Sequence, residues 1–328
     1  MSQKELTSLA KQIYGSSDKR VKELQSMYHA TQIEIEGIIS NFISDDDNWN
    51  VQAPKRLKMQ LMDELKQMYK SAGNADQSLI AVTMTNRALS TIGDAVKISA
   101  SIALLELAHK RRIQLTNTLE AIPQQVRSVG YDKASRQTDK HFKKINGRLP
   151  NPAEHEYELA RRYPAKYHKV LAQNSVSKMV QKFGSGIDTN EAINRNTVAM
   201  MNKVNELVDR IDTRHIKPQE YSRDLAKIFT GSNSPNRGAV YNAERLLRTE
   251  SAYTFANSLK DDFKKRKVKY FTNVSIRGRN TCKFCERMDG KTFKVSDMQP
   301  GVNCAPFHPN CQCDIVEATK EDIKSMDL

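Results

Sequence analysis

No stretch of this 328-residue chain reaches the roughly 18 consecutive apolar residues that a membrane-spanning helix needs. A membrane is therefore not an expected partner. The opening MSQKELTSLAKQIYG has no apolar centre, so it does not read as a signal peptide, and synthesis and folding in a cytoplasm are expected. Apolar residues are scarce, at 38 %, and the mean hydropathy is −0.65. That is lean for one compact globule and too apolar for disorder, which points to long, partly exposed helices and more than one small core. Tryptophan occurs once, as Trp49, and reads as a packing residue. Nucleotide-binding loops of the Walker type, a carboxylate pair beside a histidine and a convincing catalytic triad are all missing, as are helix-turn-helix and RRM signatures. Cysteine is absent outside residues 281–313, where all five are gathered.

Charge is present in excess and is segregated. The chain has 52 Lys and Arg against 38 Asp and Glu, a net +14. Residues 110–148 hold 10 basic and 3 acidic side chains, residues 260–294 hold 12 and 4, and the final stretch 295–328 holds 2 and 6. A salt-bridged surface would mix its signs. Two basic stretches in an otherwise balanced chain suit a polyanion, of which a phosphate backbone is the usual example. The plainer reading is that basic loops keep the protein in solution.

The first half reads as helix. Val21, Leu24, Tyr28, Thr31, Ile35, Ile38 and Phe42 recur in steps of 3 and 4, one stripe of an amphipathic helix with Asp18 at its N-cap position. The acidic Asp45–Asn48 stretch closes it. Pro54 suits the first turn of a second helix lined by Leu57, Leu61, Leu65 and Met68 and broken at Gly73 and Asn74. A long helical region is expected from Asp76 to Ile122, divided near Gly93 and stopped by Pro123. The basic stretch after it, 129–152, reads as an exposed connection, followed by a helix broken at Pro164, with His155 and His168 as surface histidines. Ile193, Thr197, Met200, Val204, Leu207 and Ile211 predict another amphipathic helix, its methionines filling core. A turn-rich loop at 231–238 leads to a helix over 239–265. VKYFTNVSI, KTFKV and CDIVEA then read as short strands, with Met288–Lys291 as a tight Asp-Gly turn. The expected fold is mainly α, with long N-terminal helices followed by a small α+β domain. Three regions are expected: helical 1–123, basic connecting 124–174, and 175–328 with the cysteines.

Cys282 and Cys285 are separated by two residues, Cys304 follows after 18 more, and then come His308, Cys311 and Cys313, a pattern close to the 15–20-residue spacer between ligand pairs in structural zinc sites. Two ligands on one tight turn and two on another close a tetrahedron, and the metal stabilises a sheet too small to do without it. The expected ligands are Cys282 and Cys285 plus two of His308, Cys311 and Cys313, with Cys304 as a spare. Three other readings stand beside zinc: thiols packed without metal, a Cys-x2-Cys redox pair, and a Cys311/His308 nucleophile pair.

Arg248-Thr249-Glu250 in a helix, then Thr-Cys-x2-Cys, Asp289-Gly290, a short strand and Ala-Pro-x-His-Pro-Asn-Cys-x-Cys form a recognisable series. It resembles the Mu F-type minor head protein family of tailed bacteriophages, also called phage head morphogenesis proteins. The resemblance is specific over 239–318 and looser back to 175. It implies a low-copy component of the procapsid interior and virion that associates with the portal protein and inner capsid, contacts DNA and has no catalytic activity. The matching positions are Arg248, Thr249, Glu250, Cys282, Cys285, Asp289, Gly290, His308, Pro309, Cys311 and Cys313. Ala305 stands where the family has a proline, and Gln312 where it has an arginine. Read from the residues alone, Arg248 and Glu250 point in different directions and would tie the helix to the sheet by ion pairs. Lys264, Lys265, Arg266, Lys267, Lys269, Arg277 and Arg279, with Tyr270 and Phe271 among them, form a basic band suited to non-specific, salt-sensitive DNA binding. A DNA-processing nuclease and a zinc-ribbon DNA-binding module are the competing readings.

Overall fold

A computed structural model describes residues 3–42, 50–85, 89–162, 188–214, 216, 218–231, 238–275 and 281–327. The element order is α1 (Gln3–Phe42), α2 (Lys55–Ser71), α3 (Asn74–Thr85), α4 (Ile92–Asn146), α5 (Pro152–Arg162), α6 (Thr189–Arg214), α7 (Pro218–Thr230), α8 (Ala239–Lys265), β1 (Tyr270–Val274), α9 (Lys283–Met288), β2 (Thr292–Lys294), β3 (Asp314–Glu317) and α10 (Lys320–Lys324). The fold is mainly α, with a small three-stranded antiparallel sheet at the C-terminal end. No helix among the described residues is long and apolar enough to cross a membrane. Two compact units are present. One draws on Met1–Lys19, Thr116–Gly186 and Leu247–Leu328, the other on Arg20–Leu115 and Ile187–Leu246.

The second unit is helical. Val21, Leu24, Tyr28, Thr31 and Ile35 are buried along α1 as their spacing predicts, but the next buried position is Ile39 rather than Ile38, because 3.6 residues per turn requires a second step of 4 there. Asp18 is no N-cap: α1 begins at Gln3 and runs straight through it. On α6, Ile193, Thr197, Met200, Val204, Leu207 and Ile211 are all buried, and Tyr28 meets Phe229 of α7 edge to face at 6.1 Å. Helix α3 ends at Thr85, and α4 starts afresh behind a reciprocal cap in which the Asp94 amide donates to Thr91 Oγ1 and the Thr91 amide donates to Asp94 Oδ2. That cap marks the division expected at Gly93.

Pro123 does not stop α4, which continues to Asn146. The lost N–H and ring clash of an internal proline cost about 3 kcal/mol, and burial of Leu119, Ile122, Val126 and Ala134 on the same helix offsets this. The stretch expected as an exposed connection is therefore largely helix. His155 is not a surface histidine: its ring hydrogen-bonds Asp139 at 2.6 Å and Ser135 at 3.1 Å, joining α5 to α4. Trp49, Asp45–Asn48, Pro164 and His168 lie outside the described residues, as does most of 231–238.

In the first unit, β1 is the central strand, in the order β2-β1-β3. Phe271 pairs with Phe293 of β2 and with Glu317 of β3, and Thr272 with Thr292 and Val316. Phe271, Ile315 and Val316 are buried, as are Phe255, Leu259 and Phe263 of α8. Strand β3 is fastened to α8 by Arg266, whose guanidinium pairs with Asp262 at 2.6 Å and with Glu317.

Candidate metal centre and basic surface

The cysteine segment is built from three local devices. Cys282 caps the six-residue α9, its sulfur accepting from the Cys285 amide at 3.4 Å, so the helix turns Cys285 inward while Cys282 stays at its mouth. After α9, Asp289 and Gly290 form a turn with Gly290 at φ +74, a conformation that glycine adopts without steric cost. Asp289 is more than a turn former, since its carboxylate accepts from the Ser275 amide at 2.7 Å and fixes the turn to the end of β1. The third device is the turn at His308–Cys311, closed by the Cys311 amide donating to the His308 carbonyl at 3.1 Å with Asn310 at φ +62. The Asn310 amide donates to Thr249 Oγ1 at 3.2 Å, so the Arg-Thr-Glu helix holds this turn directly.

These devices bring five side chains together. Cys282, Cys285 and His308 form one triad of donor atoms within 4.8 Å, and Cys285, Cys311 and Cys313 form another. Cys285 Sγ lies 3.3 Å from His308 Nε2 and 3.8 Å from Cys311 Sγ. A tetrahedron with Zn–S bonds of about 2.3 Å has sulfur–sulfur edges of about 3.8 Å, so that pair already has the spacing of two zinc ligands. His308 Nδ1–H donates to the Pro309 carbonyl at 2.8 Å, which leaves Nε2 as the free lone pair on the sulfur side. Electrostatics agree with the donor chemistry. The hydrogen bond from Cys313 holds the Cys311 thiol down at about 5, while burial, with the Cys311 charge second, pushes Cys285 up to about 12. The same bond to Cys311 and burial raise Cys313 far above the usual thiol range. Several buried thiols around one negative sulfur cannot all ionise without a cation among them, and soft sulfur and imidazole donors suit zinc. The residues fit the metal. Cys304 stands apart from both triads, fully buried, its thiol pushed up to about 12 by that burial.

Other positions singled out in the sequence have different neighbours from those expected. Arg248 pairs with Asp18 of α1 at 3.2 Å. Glu250 has no ion pair among the described residues: it is buried, its Oε2 has no hydrogen-bond partner there, and burial raises its pKa to about 7. Lys264, Lys265, Lys267 and Lys269 are exposed at the end of α8 and before β1. Arg266 does not belong to that surface, because its side chain is 6 % exposed and committed to Asp262 and Glu317. Phe271 is core, tilted against Phe293 at 5.9 Å, and offers no stacking face. Arg277 and Arg279 lie outside the described residues.

Sequence reasoning missed two supports. The Tyr14 hydroxyl donates to the Cys313 carbonyl at 3.0 Å while its ring meets Phe255 edge to face, which ties α1 to the cysteine segment. Asn273, buried on β1, donates to the Asn303 carbonyl at 2.9 Å and accepts from the Ala305 amide at 3.3 Å, anchoring the loop before His308. An asparagine in a strand pattern is a weak signal, and a tyrosine 299 residues from its partner gives none.

Residues 205–316 match the family model for phage Mu protein F like proteins. The match runs from α6 to β3 and contains the Arg-Thr-Glu helix, the Asp-Gly turn and the whole Cys/His cluster. This C-terminal region is phage Mu protein F-like. No curated protein and no solved structure matches the chain.

Proposed function

We propose that the protein is a minor head protein of a tailed phage, acting in head morphogenesis at the portal vertex and inner capsid. It would be assembled in the host cytoplasm and retained in the procapsid interior and virion. The observation that carries this reading is the coincidence of the phage Mu protein F-like match with the Cys/His cluster and the helix that supports it. In this reading the cluster is a structural zinc site, with Cys285 shared by either choice of ligands. The metal supplies cross-linking stability to a sheet of three short strands; the chain's own residues position it and keep it from water. The exposed lysines 264, 265, 267 and 269 contact DNA backbone without reading sequence. The reading contains no catalytic step.

The test is co-expression with the same phage's portal protein, followed by gradient sedimentation at low and moderate salt. Co-migration that survives the higher salt is expected. Separate migration at both salts would remove direct portal docking from the proposal.

A further inference from the structure

The turn that places Cys282 at its mouth and Cys285 inward also presents an aromatic ring outward. Phe284 lies between them on α9 and is 43 % exposed. Phe307, immediately before His308, meets it at a centroid distance of 5.3 Å and an interplanar angle of 62°. The Arg287 guanidinium lies 5.7 Å from the Phe284 centroid, and Lys283 and Arg287 are exposed. The two rings are thus held by the two turns that carry the metal-ligand candidates, and their position is fixed by the same local structure. An apolar ring facing water at a rigid position, with cations beside it, contributes little to the core.

We propose that Phe284, Phe307, Lys283 and Arg287 form a binding patch for single-stranded nucleic acid, with a base stacked on the aromatic surface and phosphates met by the cations. Every base has a π face, so such a patch needs no sequence preference. A duplex hides its base faces and would use only the cations. Charge selects this occupant over an apolar protein surface: residues 260–294 carry 12 basic against 4 acidic side chains. The inference rests on the DNA reading above for the sign of the partner's charge and adds the strand state.

The test uses the full chain, a poly-dT oligonucleotide of about 15 nucleotides, within the usual site sizes for such grooves, and a duplex of equal length, by fluorescence anisotropy at one salt concentration. Phe284→Leu keeps the apolar volume and removes the π face; Phe284→Trp keeps the π face. Phe284→Leu is expected to weaken oligonucleotide binding about tenfold, with Phe284→Trp close to the parent, duplex affinity unchanged and metal content equal in all three. Equal loss on oligonucleotide and duplex, or no loss with leucine, would overturn the inference. So would a leucine variant that keeps oligonucleotide binding and loses co-sedimentation with the portal protein, since the patch would then be a protein-docking surface. If duplex binding is absent while oligonucleotide binding depends on Phe284, the backbone-contact reading of the lysines fails and this inference stands.

Discussion

Cys285 belongs to both donor triads, so a metal held by either of them must use it. Cys285→Ser is therefore expected to lower metal from about one zinc per chain to a small fraction, read by elemental analysis of protein purified without chelator, and to expose residues 281–313 to protease. Cys304→Ala, which removes a thiol outside both triads, is expected to leave the metal content unchanged; loss of zinc in that variant would mean the ligand set is misassigned. Glu250 has a different consequence. Its folded pKa of about 7 exceeds the ordinary 4.5, because burial disfavours its charged form. The folded state therefore binds the extra proton, and the stability linked to it is complete below 4.5 and lost as the pH rises through 7. The full difference is about 3 kcal/mol. Glu250→Gln should flatten the fall in denaturation midpoint between about pH 5 and pH 8, and an unchanged slope would place the titrating group elsewhere.

At the scale of elements, the end of α8 separates two kinds of basic side chain that the sequence presents as one band. Removing Arg266 breaks its buried ion pair with Asp262, and breaking such a pair typically costs about 3–5 kcal/mol. Arg266→Ala should therefore lower the unfolding midpoint sharply. Lys264, Lys265, Lys267 and Lys269, all replaced by Ala, should leave stability close to the parent and reduce the salt dependence of duplex binding, by about 0.9 in log–log slope for each phosphate no longer neutralised. A large drop in stability in the lysine variant, or none in the arginine variant, would contradict this division. The elements themselves were legible where one periodicity ran unopposed. The stripe from Ile193 to Ile211 and the three short strands follow from spacing and β-branched composition, because burial of one face dictates both. Asp18 and Pro123 carried strong local signals that long-range packing overrode: one pairs with Arg248, the other is embedded among buried neighbours of α4. The candidate metal donors were legible because ligand spacing is short. Their supports, Tyr14 and Asn273, were not, because hydrogen bonds between distant positions leave no pattern in sequence.

For the whole molecule, the charge excess, the Cys/His cluster and the phage Mu protein F-like region are the observations that support the proposed reading as a head component. The groups that a nucleophilic reading would use, Cys311 and His308, are instead gathered with Cys282 and Cys313 around Cys285. Retention in the head is the central claim, and it has a direct measurement: quantitative mass spectrometry of purified procapsids and virions of the phage that encodes this chain. The account predicts the protein in both, at a few copies per particle and far below the major capsid protein. Its absence from both, with the protein recovered only free in the infected-cell lysate, would contradict the account.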